Sequence, residues 1–215
     1  MTAGALRGLY AVTPDDGLPP RLATLVDLAL CGGVRLVQYR NKTATAPLRR
    51  AEAAELLRLC RARGARLIVN DDLALALEIG ADGVHLGRDD AAAEALVDVR
   101  QQLGPDRILG VSCYDDLARA EAAAAAGADY LAFGSVFASV TKPTAVQAPL
   151  SLLAEARRRC CRPIAAIGGI TVANAASVIA AGADMVAVIS DLFDAMDITA
   201  RARQFQQLFL SEGTA

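Results

Sequence analysis

A chain of 215 residues that is 54% hydrophobic can fill one sizeable core, and its length suits a single α/β barrel. A net charge of −2 without a basic block, aromatics at 4% and no tryptophan speak against the basic, ring-lined surfaces that grip nucleic acid. No apolar run approaches the roughly 18 residues of a membrane span.

Taken in chain order, strand-like runs are expected near Leu9–Thr13, Arg35–Tyr39, Leu67–Val69, Gly83–Leu86, Ile108–Val111, Tyr130–Phe133, Ile164–Ile167 and Met185–Ile189. They are apolar nearly throughout, as strands covered on both faces are. The segments between them read as helices. LRRAEAAELLRLCRARG alternates apolar and charged residues at helical spacing, and DLARAEAAAAAGAD is alanine-rich and ends at Gly127, a C-cap. CGGVRLVQY, IGADGVHLG, AGADYLAFG and AGADMVAVI echo one another, each with a Gly where a helix should stop, and Gly33, Gly80 and Gly127 recur at a constant interval. Strands alternating with helices in this way predict an α/β fold, a (β/α)8 TIM barrel, with residues 1–215 as a single domain. A doubly wound sheet would usually show a GxGxxG turn after its first strand, and YAVTPDDG has none. MTAGALRGLYAVTPDD shows no signal-peptide pattern. Cys31, Cys60, Cys113, Cys160 and Cys161 form no CxxC, so reduced thiols in a cytoplasm are expected rather than disulfides or a zinc site.

In a barrel, chemistry belongs at the C-terminal ends of the strands. Those ends carry Gln38, Arg40, Asn41 and Lys42 on the second strand, and Asn70, Asp71 and Asp72 on the third. The fourth brings His85, Arg88, Asp89 and Asp90, the fifth Ser112 and Cys113, the seventh Gly168 and Gly169, and the eighth Ser190. The longest irregular stretch, Phe137 to Leu150, follows the sixth strand with Ser139, Thr141 and Lys142; loops of that length are often functional. The pairs Asp71/Asp72 and Asp89/Asp90 admit three readings: turn chemistry, helix capping or a metal site. Acids flanked by Arg40, Lys42 and Lys142 suit a polyanion held partly through Mg2+, which takes few protein oxygens and lets phosphate complete its shell. IGGI and VIS on the last two strands suggest a second anion site made of backbone N–H groups, with SDLFDA as a short extra helix.

LYAVT, VQYRNK, IVNDD…GADGVHLGRDD, GVSCYD, GADYLAFGSVFASVTKP, IAAIGGI and GADMVAVIS follow in order from about Leu9 to Ala195. Together they resemble the motifs of the thiamine-phosphate synthase family, also called thiamine-phosphate pyrophosphorylase. The resemblance implies a barrel transferase of thiamine biosynthesis with Mg2+ as cofactor. It would join 4-amino-2-methyl-5-hydroxymethylpyrimidine diphosphate to a thiazole phosphate and release pyrophosphate by dissociative, Mg-assisted loss of the leaving group. Its partners would be these small molecules, with no nucleic acid and no membrane, and a homo-oligomer is left open. By the same resemblance Gln38, Arg40 and Lys42 hold the diphosphate, Asn70 touches the diphosphate or pyrimidine, and Asp71 and Asp90 bind Mg2+. Ser112 lies near the reacting pyrimidine. Ser139 and Thr141 match hydroxyls near the thiazole phosphate, Lys142 matches the lysine of a T-x-T-K loop, and Gly169, Ile189 and Ser190 match the cradle of that phosphate. The catalytic weight falls on Ser112, Lys142 and Arg40.

Some positions depart from the family pattern. Tyr39 and Asn41 stand where Leu and Glu are common, a change expected to matter little because it spares the charged positions. Ser139 replaces a common Thr and keeps the hydroxyl. Tyr114 stands where thiazole tautomerases of the same superfamily carry a proton-transferring histidine, which counts against that activity. A non-catalytic barrel binding thiamine precursors is the third reading; the presence of Arg40, Lys42, Asp71, Asp90 and Lys142 counts against it. Of the remaining polar residues, Asp72 and Asp89 read as caps or solvated acids, and Arg88 as solvated. His85 reads first as a packed, hydrogen-bonded core residue, with a role near the pyrimidine as the alternative. Cys113 reads as a small packing residue, and the charged stretch from Arg49, RRAEAAELLRLCRARG, as a solvated face.

Overall fold

Eight strands close in chain order into one parallel barrel, in a computed structural model that describes residues 6–15, 19–87, 93–138 and 146–210. The strands are β1 (Gly8–Val12), β2 (Leu36–Tyr39), β3 (Arg66–Asn70), β4 (Gly83–Leu86), β5 (Ile108–Tyr114), β6 (Tyr130–Phe133), β7 (Ile164–Ile167) and β8 (Met185–Val188). β8 pairs back onto β1, with Gly8 opposite Met185, so the sheet has no open edge. The surrounding helices are α1 (Pro19–Cys31), α2 (Ala46–Ala62), α3 (Leu73–Ile79), α4 (Ala93–Leu103), α5 (Leu117–Ala125), α6 (Leu150–Cys160), α7 (Val172–Ala180), α8 (Ser190–Phe193) and α9 (Ile198–Leu210). The expected strands are present; β5 runs further than its apolar stretch, through Ser112 to Tyr114, with a register shift against β6 there.

Alternation along each strand divides the core into two shells. Leu9 and Ala11 of β1, Leu131 and Phe133 of β6, and Val186 and Val188 of β8 pack outward under the helices. Tyr10 and Val12, Tyr130 and Ala132, and Met185 and Ala187 point into the barrel. Side chains at a period of two must behave so when one face meets the helices and the other the barrel axis. Gln38, His85 and Ser112 share the inward parity of Leu36 and Ile108, so polar groups enter the barrel near its C-terminal end.

Local signals account for several helix ends. Gly80 takes φ 69° as the left-handed C-cap of α3. At α5 the C-cap is Ala126, and Gly127 is the residue after it at φ 95°, one place later than the expected role. The charged α2 also differs from a simple solvated face. It buries Glu52, Ala53, Leu56, Leu57 and Cys60, and Glu52 is only 3% exposed. Its Oε2 accepts from Tyr39 Oη at 2.7 Å and Asn41 Nδ2 at 3.0 Å, which offsets part of its loss of water, while Oε1 is buried without a hydrogen bond among the described residues. Among the described residues no helix is long and apolar enough to cross a membrane.

Candidate active site

The motif QYRNK splits between two faces at the end of β2. Tyr39 and Asn41 turn outward to Glu52 of α2. Asn41 Oδ1 also accepts from the Thr43 and Ala44 amides, fixing the turn into the helix. Arg40 and Lys42 take the other face and meet Asp15, which follows β1. Arg40 donates to Asp15 Oδ2 at 3.0 Å, and the Lys42 amide donates to Asp15 Oδ1 at 3.1 Å. The Thr13 hydroxyl accepts from the Arg40 amide and donates to the Arg40 carbonyl, joining the ends of β1 and β2. Asp15 was not among the expected site residues. Its only sequence signal is a TPDDG turn, which any solvated acid would fit.

Asp71 stands at the end of β3 with its backbone in the left-handed region at φ 57°. Several hydrogen bonds hold it there. Its amide donates to the His85 carbonyl at 2.8 Å, and its Oδ1 accepts from the Gly87 amide at 2.8 Å. Its Oδ2 accepts from Asn70 Nδ2 at 2.7 Å and lies 3.5 Å from Lys42 Nζ. Left-handed backbone is unfavourable for most residues, and Asp is among the few that tolerate it. Asp72, the next residue, instead caps α3 by accepting from the Leu75 amide at 2.9 Å. The acid pair therefore has one capping member and one member that faces the rim. Lys42, Arg49, Asn70 and Asp71 help to line a cavity of about 280 Å3 between the ends of β2 and β3.

Ser112 and Gln38 belong to a second group, inside the barrel mouth. Ser112 Oγ is 2.9 Å from His85 Nε2, and His85 Nδ1 is 2.8 Å from Tyr130 Oη. Gln38, 5% exposed, donates from Nε2 to Tyr10 Oη at 2.7 Å. Burial pulls the His85 imidazole down to about 4, so the ring is neutral at pH 7. Burial likewise raises the Tyr10 and Tyr130 phenols above their ordinary value and keeps them protonated. His85 is thus the packed, hydrogen-bonded residue its apolar strand suggested. Cys113 faces outward, and burial pushes its thiol up to about 12, which suits a packing residue rather than a nucleophile. Arg119 of α5 fastens this edge of the mouth by donating to the Ser112 and Gly87 carbonyls.

At the far side of the rim, Gly168 and Gly169 follow β7, and Ile189 and Ser190 follow β8. Gly169 adopts φ 61°, and a Cβ there would lie 2.3 Å from the Ala138 carbonyl oxygen. The backbone after β6 thus already demands glycine at this position. SDLF forms the short helix α8, with Ile189 at its N-cap position. Arg88, Asp89, Asp90, Ser139, Thr141 and Lys142 lie outside the described residues.

Among the described residues no cluster of His, Cys, Asp and Glu by itself forms a closed metal cage. Asp71 offers a hard carboxylate beside cations at an open rim. A donor of that kind fits Mg2+, which keeps water and substrate oxygens rather than a full protein shell.

Fold and rim together define the class: a (β/α)8 barrel with cationic side chains and carboxylates gathered at its C-terminal mouth. The chain belongs to the thiamine monophosphate synthase family, whose sequence model matches residues 9–192. It is 54% identical over 204 residues to a thiamine-phosphate synthase of Aromatoleum aromaticum, covering 95% of this chain and 97% of that one. It is 55% identical over 198 residues to the thiamine-phosphate synthase of Chromobacterium violaceum, covering 92% and 94%. A solved thiamine phosphate pyrophosphorylase from Pyrococcus furiosus superposes with a TM-score of 0.85 at 30% identity, covering 99% of both chains.

Proposed function

We propose that the chain makes thiamine phosphate by joining the pyrimidine diphosphate to the thiazole phosphate, with pyrophosphate as the second product. The observation that carries this reading is the match to the synthase family over residues 9–192, with the charged rim where such a reaction needs it. The bond between the pyrimidine methylene carbon and the diphosphate oxygen breaks first, and its electron pair leaves on pyrophosphate. The thiazole nitrogen then supplies the pair for the new C–N bond. Such a sequence asks for charge stabilisation on the leaving group more than for a general base, and the neutral, buried His85 agrees with that.

In this reading Arg40 and Lys42 receive the diphosphate. Asp15 holds the Arg40 guanidinium and the Lys42 backbone, and the Lys42 ammonium lies 3.5 Å from Asp71, so the anion meets charge already gathered at the rim. Asn70 holds the Asp71 carboxylate and touches the diphosphate or the pyrimidine. Asp71, with Asp90, would hold Mg2+, which supplies positive charge at the diphosphate oxygens when bound. Gln38 and Ser112 face the pyrimidine diphosphate from inside the mouth. Lys142 adds charge to the leaving group. Ser139, Thr141, Gly169, Ile189 and Ser190 receive the thiazole phosphate. The test is an assay with both substrates and Mg2+. Thiamine phosphate and pyrophosphate should form together and cease on chelation. Binding of both substrates without turnover, or conversion of one thiazole isomer to another without any pyrimidine, would contradict the reading.

A further inference from the structure

Side chains from five strands form one unbroken line of hydrogen bonds through the barrel: Gln38 on β2, Tyr10 on β1, Tyr130 on β6, His85 on β4 and Ser112 on β5. The steps measure 2.7 Å from Gln38 Nε2 to Tyr10 Oη, 2.7 Å from Tyr10 Oη to Tyr130 Oη, 2.8 Å to His85 Nδ1, and 2.9 Å from His85 Nε2 to Ser112 Oγ. Tyr10, Tyr130, Gln38 and His85 are all buried, and the Tyr130 and His85 rings stack at 5.6 Å. Gly110 makes room for this, since a Cβ there would lie 2.0 Å from Tyr130 Cζ.

Proton counting gives the line a direction. A phenol in two such bonds donates one and accepts the other. The Gln38 N–H can only donate, so Tyr10 accepts from it and gives its own proton to Tyr130. Tyr130 then donates to His85 Nδ1. A protonated ring would donate at Nδ1 as well, leaving Tyr130 with two donors facing it and no acceptor on the line. The ring therefore carries its single proton on Nε2 and gives it to Ser112 Oγ. Ser112, already accepting, has its own proton free to point out of the line. With the Gln38 amide turned over, every bond would reverse, and the serine proton would be held inward by His85.

We propose that this line is a polarity relay in which Tyr10, Tyr130 and His85 act as positioning residues, holding Ser112 as a hydrogen-bond donor toward the departing diphosphate. The proposal rests on the synthase reading and adds residues that reading does not use. A donor fixed in place before the bond breaks stabilises the charge that develops on the leaving oxygen.

His85 is the only histidine of the chain, so the ring nitrogens of 15N-labelled full-length protein give signals that need no assignment. The relay requires the neutral Nε2–H tautomer at pH 7. In kinetics, Ser112→Ala should lower kcat on the order of 100-fold, the usual loss for a removed oxyanion donor. Tyr130→Phe should lower kcat about tenfold with KM little changed, as expected for one lost hydrogen bond. In the Ser112→Ala background Tyr130→Phe should have almost no further effect, because it acts through the serine. An Nδ1–H or doubly protonated ring would overturn the proposal. So would a Tyr130→Phe loss of the same factor in both backgrounds, the mark of a merely structural role. If the protein makes no thiamine phosphate at all, the synthase reading falls, while the ring signals still decide the direction of the line.

Discussion

At the scale of single residues, Asp72 accepts from the Leu75 amide to start α3, while Asp71 holds φ 57° and turns its carboxylate to Lys42 and Gly87. Replacing Asp72 by Ala should remove about 1 kcal/mol of stability, the usual loss of an N-cap, and leave turnover nearly unchanged. Thermal melting and steady-state rates measured side by side check both parts. The capping role was legible because Asp before an apolar run is a helix-start signal. Asp15 was not, because nothing in TPDDG shows that Arg40 and Lys42 will fold back onto it. His85 gives a pH dependence. Its folded value is lowered to about 4 from 6.5, so the unfolded chain takes up the proton first as pH falls. Stability from this group is complete above about 6.5 and is lost on the way down to 4, on the order of 3 kcal/mol in all. Denaturant unfolding of wild type and His85→Gln between pH 7 and 4.5 should show the wild type losing more stability over that range. Equal slopes would show that the ring is not held neutral by burial.

At the scale of elements, alternation explains what a reading of apolar runs left out. The strands are apolar enough to mark the barrel, but treating each run as uniform hides which residues face inward. A strict period of two puts Tyr10, Gln38, His85, Ser112 and Tyr130 inside, and that is where the polar line forms. The same alternation separates Arg40 and Lys42 from Tyr39 and Asn41. The latter pair forms a joint contact with the buried Glu52, so the departure from the family pattern has a structural partner in α2. Glu52→Ala would leave the Tyr39 hydroxyl without that acceptor in a buried setting and should destabilise the fold by about 2 kcal/mol. Denaturant unfolding measures this, and a change below about 0.5 kcal/mol would place the contact among those of little weight. Gly110→Ala should push the Tyr130 ring aside, costing about 1–3 kcal/mol by overpacking and shifting the His85 ring signals. An unchanged 15N spectrum would show that the ring needs no such space.

At the scale of the whole molecule, the repeated glycine-ended units made the barrel legible, because a strand–helix unit leaves an apolar face that only its neighbours can cover. Closure of β8 onto β1 brings residues distant in sequence to one mouth, and no local pattern reports that by itself. The C-terminal rim rule points to that mouth, where Arg40, Lys42, Asn70, Asp71 and Ser112 lie, but it equally picks Asn41, Asp72 and Cys113, which serve a turn, a helix cap and packing. The central claim is that Asp71 holds the cation that neutralises the departing diphosphate. It is tested most directly by titrating Mg2+ against pyrophosphate release in wild type and Asp71→Ala. The variant should need far more Mg2+ for half-maximal rate, with kcat down on the order of 100-fold. A variant that keeps the wild-type Mg2+ dependence and rate would contradict the account.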